Sequence, residues 1–244
     1  MPEIIHLPQT HSTNKYLRNL IESNVLQEEG TVVWADYQSA GRGQQGNSWE
    51  SEEDKNLLFS LMLSPKMIPA KYQFIISQIV SLGILDVLNG IKPGFRVKWP
   101  NDIYFGDKKV AGILIENDLS GHSLYNSIIG IGLNVNQELF LSDAPNPVSL
   151  KQIAEQEFNR QQLLLQIVER IFHYYDIAIE ENWEMIQDRY MDFLYRKEGY
   201  HTFEDDEKQF KARIHEIDTM GMLTLEDKEG IKRSFAFKEV QFVM

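Results

Sequence analysis

Four stretches hold residue types suited to binding and activating an anionic reactant: STN at 12–14, GRGQQGNSW at 41–49, KWPND at 98–102 followed by KKVAG at 108–112, and GIGLNVN at 130–136. In the second, glycines let backbone N–H groups approach a ligand closely, and Arg42 can neutralise an anion. A plain surface loop explains that stretch equally well on its own. In the third, Pro100 fixes its own φ, so Asn101 and Asp102 leave a stiff turn. Asparagine offers two donors and an acceptor, and aspartate can hold Mg²⁺ or orient a donor. A simple strand exit would also favour Asn and Asp. Lys109 opens a run of small residues where a ligand could lie flat; taken alone, it reads as a solvated lysine beside a turn. Ser12, Thr13 and Asn14 suit a helix cap, and a helix N-terminus can also receive polar ligand groups. None of the stretches is a Walker A loop, and GIGLNV lacks the third glycine of a dinucleotide fingerprint.

The elements that must position these residues follow from periodicity. NKYLRNLIESN places Tyr16, Leu17, Leu20 and Ile21 on one helical face. TVVWAD (31–36) and NLLFSLML (56–63) read as strands, the second buried on both faces. A helix is predicted over 70–89, with Gly90 at its left-handed end. FRVKW reads as a short strand, IYFGDKKVAGILIEN as two strands turning at Gly106-Asp107, and SGH (120–122) as the turn into SLYNSIIGIGLNV. SLKQIAEQE and the stretch from Arg160 to Arg196 are helical by period, with Phe172, Tyr174 and Tyr175 expected to pack on the sheet. From Gly199, QFKARIHEID, MLTLED and IKRSFAF predict a small barrel. The fold class expected is α+β: a mixed, largely antiparallel sheet covered by helices over 1–195, then a small β-barrel over 196–244.

Composition narrows the classes. The 244 residues are 43% hydrophobic and contain no cysteine, which excludes disulfides, thiolate metal sites and a cysteine nucleophile. The formal net charge is −12, and no basic run suggests nucleic-acid binding. The N-terminus lacks a basic region and apolar core, and no stretch is expected to approach the ~20 apolar residues that span a membrane. A cytoplasmic protein, monomeric or homodimeric, is expected.

Together the motifs carry a resemblance. STN, the xGRGxxGxxW loop, VKWPNDIY, KVAGILIE and GIGLNVN stand in the order and rough spacing of the biotin protein ligases, closely over about residues 10–140 and weakly in the C-terminal strands. The resemblance implies a catalytic domain akin to that of class II aminoacyl-tRNA synthetases, followed by an SH3-like barrel. It also implies a ligase-only form, because too few residues precede STN to hold a helix-turn-helix domain. It implies ATP with Mg²⁺, biotin as substrate, a biotinyl-adenylate intermediate, and transfer to a lysine of a carrier domain of a biotin-dependent carboxylase. By matched position, Ser12, Thr13, Asn14, Gln38, Gly41, Arg42, Lys109 and Gly112 would contact biotin. Gln44, Trp49, Asn101, Gly130 and Asn134 would contact ATP or the adenylate. Lys109, Arg42, Asp102 and Lys98 would carry the chemistry, with Asp102 assisting Mg²⁺ or the incoming lysine. The nearest alternatives are a lipoate or octanoate ligase or transferase of related fold, and a non-catalytic nucleotide-binding module. The missing cysteine speaks against the transferases, and Arg42, Lys98, Asp102 and Lys109 against the module.

One departure has a consequence for retention of the intermediate. Relatives usually carry arginine after the second loop glycine, often with another beside it and a basic residue further on; here stand Gln44, Gln45 and Asn47. Glutamine can hydrogen-bond a phosphate but adds no charge. Gln44→Arg is therefore expected to slow adenylate release about tenfold, the scale of one charge-assisted contact. An unchanged or faster off-rate in a chase experiment counts against this.

Overall fold

The computed structural model describes residues 3–25, 28–142 and 146–243, and leaves the Gln45 side chain and part of the proline-bearing 141–150 loop outside the described residues. Seven strands form the main sheet: β1 (Ile4–Thr10), β2 (Val32–Gln38), β3 (Leu57–Leu63), β4 (Phe95–Lys98), β5 (Asp102–Phe105), β6 (Lys108–Ser120) and β7 (Ser123–Leu133). Their order is β1-β2-β3-β7-β6-β5-β4. Among the described residues β1 and β2 are the parallel pair of this sheet; the other pairs are antiparallel, three of them (β4–β5, β5–β6 and β6–β7) joined by short turns between successive strands. The turns fall where the sequence places them, with Gly106 at φ 56° and Gly121 at φ 60°.

The two faces of this sheet are covered unequally. All seven residues of β3 are buried, matching its near-continuous apolar run, in which Ser60 alone is polar. On one face Val32, Leu57, Phe59, Leu61, Ile129 and Ile131 join the main core under α2 (Phe74–Ile91), and α4 (Arg160–Ile179) and α5 (Trp183–Asp192) pack on α2. On the other face α1 (Thr13–Glu22) sets Leu17 against Val33, Met62 and Ile128. α1 contacts β2, β3 and β7. This partial cover leaves room beside α1 for a cavity over β6 and β7.

Several details differ from the sequence reading. With the preceding turn at Ala70–Tyr72, the α2 region is long and apolar enough to cross a membrane by length and composition, contrary to expectation. Its composition follows from its position, because most of it is enclosed between the sheet, α4 and α5. Gly90 lies within the helix, and Gly94, at φ 122°, makes the turn into β4. Tyr174 and Tyr175 of α4 are buried in the same core cluster as the sheet residues, and their hydroxyls also bind outside it: Tyr174 donates to Asp86 of α2 at 3.0 Å, and Tyr175 to Glu29 before β2 at 2.6 Å. Burial, reinforced by Asp86, pushes the Tyr174 hydroxyl up to about 12. The helix expected over SLKQIAEQE is a single short α3 (Leu150–Ala154), started by a Ser149–Gln152 capping box.

The C-terminal strands are β8 (His201–Glu204), β9 (Gln209–Ile217), β10 (Leu223–Asp227), β11 (Lys232–Phe235) and β12 (Gln241–Phe242), an antiparallel sheet in the order β11-β10-β9-β8-β12. Its apolar residues share one cluster with the main core. The contact is also polar: Trp99 Nε1 donates to the Gly221 carbonyl at 2.9 Å, and Phe74 N–H to the Thr219 carbonyl at 3.4 Å.

α2 thus organises the core. Ile79 is fully buried in it, so Ile79→Ala is expected to cost about 2–5 kcal/mol. The check is a lower urea midpoint at an unchanged slope.

Candidate active site

The register of β3, β7 and β6 builds the floor of the site. Gly132 pairs with Leu58 and Gly112, and Gly130 with Ser60 and Leu114. Glycines are required because other groups occupy their side-chain space. A Cβ on Gly132 would lie 2.4 Å from the Trp49 ring, one on Gly112 2.9 Å from it, and one on Gly130 2.3 Å from Asn14 Oδ1. The indole of Trp49 therefore lies directly over the glycine pair.

Trp49 is delivered by the 41–49 loop, which is more ordered than a plain surface loop. Arg42 and Ser48 form a bridge, Gly43 N–H donates to the Asn47 carbonyl at 2.6 Å, and Trp49 N–H donates to the Gly41 carbonyl at 3.0 Å. Gly41 allows this close return, since a Cβ there would meet the Trp49 carbonyl at 2.8 Å.

A cavity of about 110 Å³ is lined by Ser12, Thr13, Asn14, Gln38, Arg42 and Gln44, together with Asn101, Asp102, Lys109, Gly112 and Gly130. A second cavity of about 480 Å³ lies beyond Trp49, against Glu50, Asn134, Phe140 and Pro147. Trp49 and Lys109 line both cavities. Thirteen of the residues singled out from the sequence thus border one cavity or the other. Gly41 and Lys98 line neither.

The charged groups are paired inside the site. Lys109 Nζ lies 2.8 Å from Asp102 and 5.6 Å from the centre of a Trp49 ring. Arg42 lies 3.4 Å from Glu116. Asn101 donates its amide to the Ile113 carbonyl, fixing the turn of KWPND onto β6, and its peptide after Trp99-Pro100, itself cis, accepts from Ile113 N–H at 3.0 Å. Asn134 Nδ2 donates to the Val148 carbonyl at 3.3 Å and so holds the wall of the larger cavity. Lys98, by contrast, turns toward Tyr104 (3.2 Å to the hydroxyl) and the Phe242 ring (5.5 Å). Burial lowers its pKa, Asp102 opposes this, and Lys109 and Arg196 add to it.

Ser12 occupies the cap position of α1 without a side-chain cap bond, so the hydroxyl of this lining residue is left for the cavity. At the outer wall, Glu50 accepts the N–H groups of Leu141 and Ser142 at 2.8 and 2.9 Å, tying the glycine loop to the far rim. Burial works to raise the Glu50 pKa, but these bonds and the Ser142 side chain outweigh it and hold it below its ordinary value. The latch thus contributes above the usual glutamate range and is lost as pH falls below it. Three participants were not singled out from the sequence: Glu116, Ser60 and Phe237, the last reaching the smaller cavity from the C-terminal region. Glu116 stands at the end of KVAGILIE, and the alternation of β6 puts it on the face of Gly112, a signal that strand parity could have supplied. Among the described residues no cluster of three or more acidic or histidine side chains could hold a metal ion.

This sheet, with a glycine floor, a folded glycine loop and a lysine between two cavities, defines a ligase-type catalytic domain. The chain belongs to the biotin/lipoate A/B protein ligase family, whose model matches residues 6–134. Similar proteins include the bifunctional ligase/repressor BirA of Bacillus subtilis strain 168, 32% identical over 92% of this chain and 70% of that protein. The corresponding protein of Bacillus spizizenii is 31% identical over 96% of this chain and 72% of that one. The biotin protein ligase from Aquifex aeolicus in complex with biotin and ATP superposes at TM-score 0.81, with 26% identity and complete coverage of both chains.

The glycine floor gives a direct test. Gly132→Ala is expected to drive the Trp49 indole off the sheet and to cost about 1–3 kcal/mol. The Trp49 indole N–H resonance should shift while those of Trp34, Trp99 and Trp183 stay in place; an unmoved Trp49 resonance argues against this packing.

Proposed function

We propose that this chain is a biotin protein ligase that joins biotin to ATP, forming biotinyl-5'-AMP and pyrophosphate, and then transfers biotin to a carrier lysine. The observation that carries this reading is the placement of Lys109 and Trp49 on the shared wall of two cavities. An acid held in the smaller cavity and a nucleotide in the larger one would meet at a lysine ammonium. That cation would offset the charge of a carboxylate attacking a phosphorus atom. In the first step the biotin carboxylate oxygen bonds to the α-phosphorus and the bond to pyrophosphate breaks. In the second the lysine amine bonds to the biotinyl carbonyl carbon, loses a proton, and AMP leaves.

Within this reading Ser12, Thr13, Asn14, Gln38 and Gly112 hold the bicyclic head and Arg42 closes over it. The α1 end of the smaller cavity is rich in hydrogen-bonding groups, with Thr13 N–H donating to Gln38 Oε1 at 2.7 Å and Thr13 Oγ1 lying 3.1 Å from the same oxygen. Such an end suits a cyclic urea better than the sulfur ring of lipoate or an alkyl chain. Trp49 and Asn134 flank the nucleotide, and the buried Trp49 Nε1 has no acceptor among the described residues, so it can donate to a ligand. Asp102 could supply one carboxylate to Mg²⁺ held mainly by phosphates, consistent with how that ion is usually bound. Its pairing with Lys109 means the two would part when the substrates enter. The carrier is a small domain of a biotin-dependent carboxylase. A cytoplasmic monomer or homodimer that acts without nucleic acid, divided at residues 195 and 196, completes the proposal.

Biotin-dependent ATP–pyrophosphate exchange tests it, run beside lipoate and octanoate. Exchange with biotin alone is the expected result, and Lys109→Ala is expected to lower kcat at least 100-fold. Exchange with lipoate or octanoate in place of biotin, or with no acid, overturns the reading.

A further inference from the structure

A chain of hydrogen bonds runs under the smaller cavity. Glu116 of β6 accepts from Asn14 Nδ2 at 2.8 Å, and the Leu114 carbonyl lies 3.5 Å from the same nitrogen. Ser60 Oγ lies 2.6 Å from Asn14 Oδ1 and 2.7 Å from Thr13 Oγ1. Thr13 Oγ1 lies 3.1 Å from Gln38 Oε1, which also takes the Thr13 backbone N–H at 2.7 Å. Asn14 and Thr13 are 3% exposed and Ser60 0%, so bulk water does not substitute for these partners.

The chemistry of the ends fixes the direction of the chain. A carboxylate and a carbonyl only accept, so Asn14 must turn its amino group toward Glu116 and Leu114. Its carbonyl then faces Ser60, and the single hydroxyl proton of Ser60 goes to it. Ser60 Oγ is left with lone pairs toward Thr13. The Thr13 proton therefore goes to Ser60 or to Gln38, and what Thr13 can turn toward the cavity is a lone pair. At Gln38 the backbone N–H of Thr13 can only donate, so Oε1 turns to it and the amino group is the end left for a ligand. Gly130 keeps Asn14 in place, since any side chain there would strike its amide.

We propose that Glu116 is a positioning residue that sets the direction of this relay. The α1 end of the cavity then offers an acceptor on Thr13 beside a donor on Gln38, matched to the adjacent N–H and C=O of a cyclic urea. Reversal at Asn14 would turn the Ser60 proton toward Thr13, leaving Gln38 Oε1 and the ligand to share the Thr13 proton, and the share that faces the ligand opposes the urea N–H. Glu116 has a second partner in Arg42 at 3.4 Å, so a test must separate the relay from that ion pair.

The inference rests on the biotin reading above and is tested by pyrophosphate exchange with biotin and with the two carbamates in which one ureido N–H is replaced by oxygen. Wild type is expected to prefer biotin to at least one carbamate about tenfold in kcat/KM, the scale of one oriented hydrogen bond. Glu116→Leu should lower kcat/KM for biotin about tenfold while leaving that carbamate within about threefold, so that the preference collapses. Ser60→Ala breaks the relay one link on and should shrink the preference likewise, which keeps the test open should the leucine variant fail to fold. Glu116→Gln retains an acceptor for Asn14 but removes the charge opposite Arg42, and should keep the preference. A preference unchanged in both Glu116→Leu and Ser60→Ala overturns the relay. Loss of preference in Glu116→Gln equal to that in Glu116→Leu assigns the effect to Arg42 and also overturns it. Absence of exchange with biotin in wild type overturns the ligase reading itself, a result distinct from exchange with a constant preference.

Discussion

The constraint on which the site depends is the absence of side chains at three neighbouring points of the open sheet face. The antiparallel register of β3, β7 and β6 sets Gly132 beside Gly112 and places Gly130 in the next row. Remove that alignment and Trp49 has nowhere to lie, Asn14 cannot reach Ser60, and the two cavities lose their common wall. The register is held in turn by the opposite face, where β-branched and leucine side chains pack against α2. A slip of one residue would send glycines into the core and isoleucines into the site, so the burial energy of the core enforces the geometry of the site.

The site keeps its charges in pairs. Lys109 with Asp102 and Arg42 with Glu116 place each lining cation against a carboxylate of the protein itself. An unpaired cation in a partly enclosed cleft would be costly, and an internal partner reduces that cost without removing the cation from reach. Lys98 is treated differently. It is half-buried among Tyr104 and Phe242, where its lowered pKa reflects structural packing at the junction with the C-terminal sheet.

Much of this was legible in the sequence, for reasons that vary by element. β3 was legible because its run is apolar but for Ser60, and the β5–β6 and β6–β7 turns because glycine marks them. β1 was not: it is a partly exposed edge strand carrying Pro8, so it shows neither alternation nor an apolar run. The end of α2 was misplaced because Gly90 suits a left-handed end by type, whereas the helix runs through it to Ile91 and the positive φ falls at Gly94. Among site residues, those in glycine- or proline-bearing motifs announced themselves. Ser60 and Glu116 did not, because a serine within a buried strand and a glutamate near a strand end are unremarkable until the register brings them to Asn14. The direction of Lys98 depended on the C-terminal strands docking beside it, which local sequence does not report.

The shared position of Trp49 has a thermodynamic meaning. One indole forms part of both cavity walls, so any ligand that shifts it in one cavity alters the shape of the other. The two binding equilibria are then linked, and linkage is reciprocal: whatever factor the first ligand applies to the affinity of the second, the second applies to the first. A ligand-driven shift of this one aromatic ring would make the two halves of the site a cooperative unit, with the glycine pair beneath it as the hinge plate on which that coupling turns.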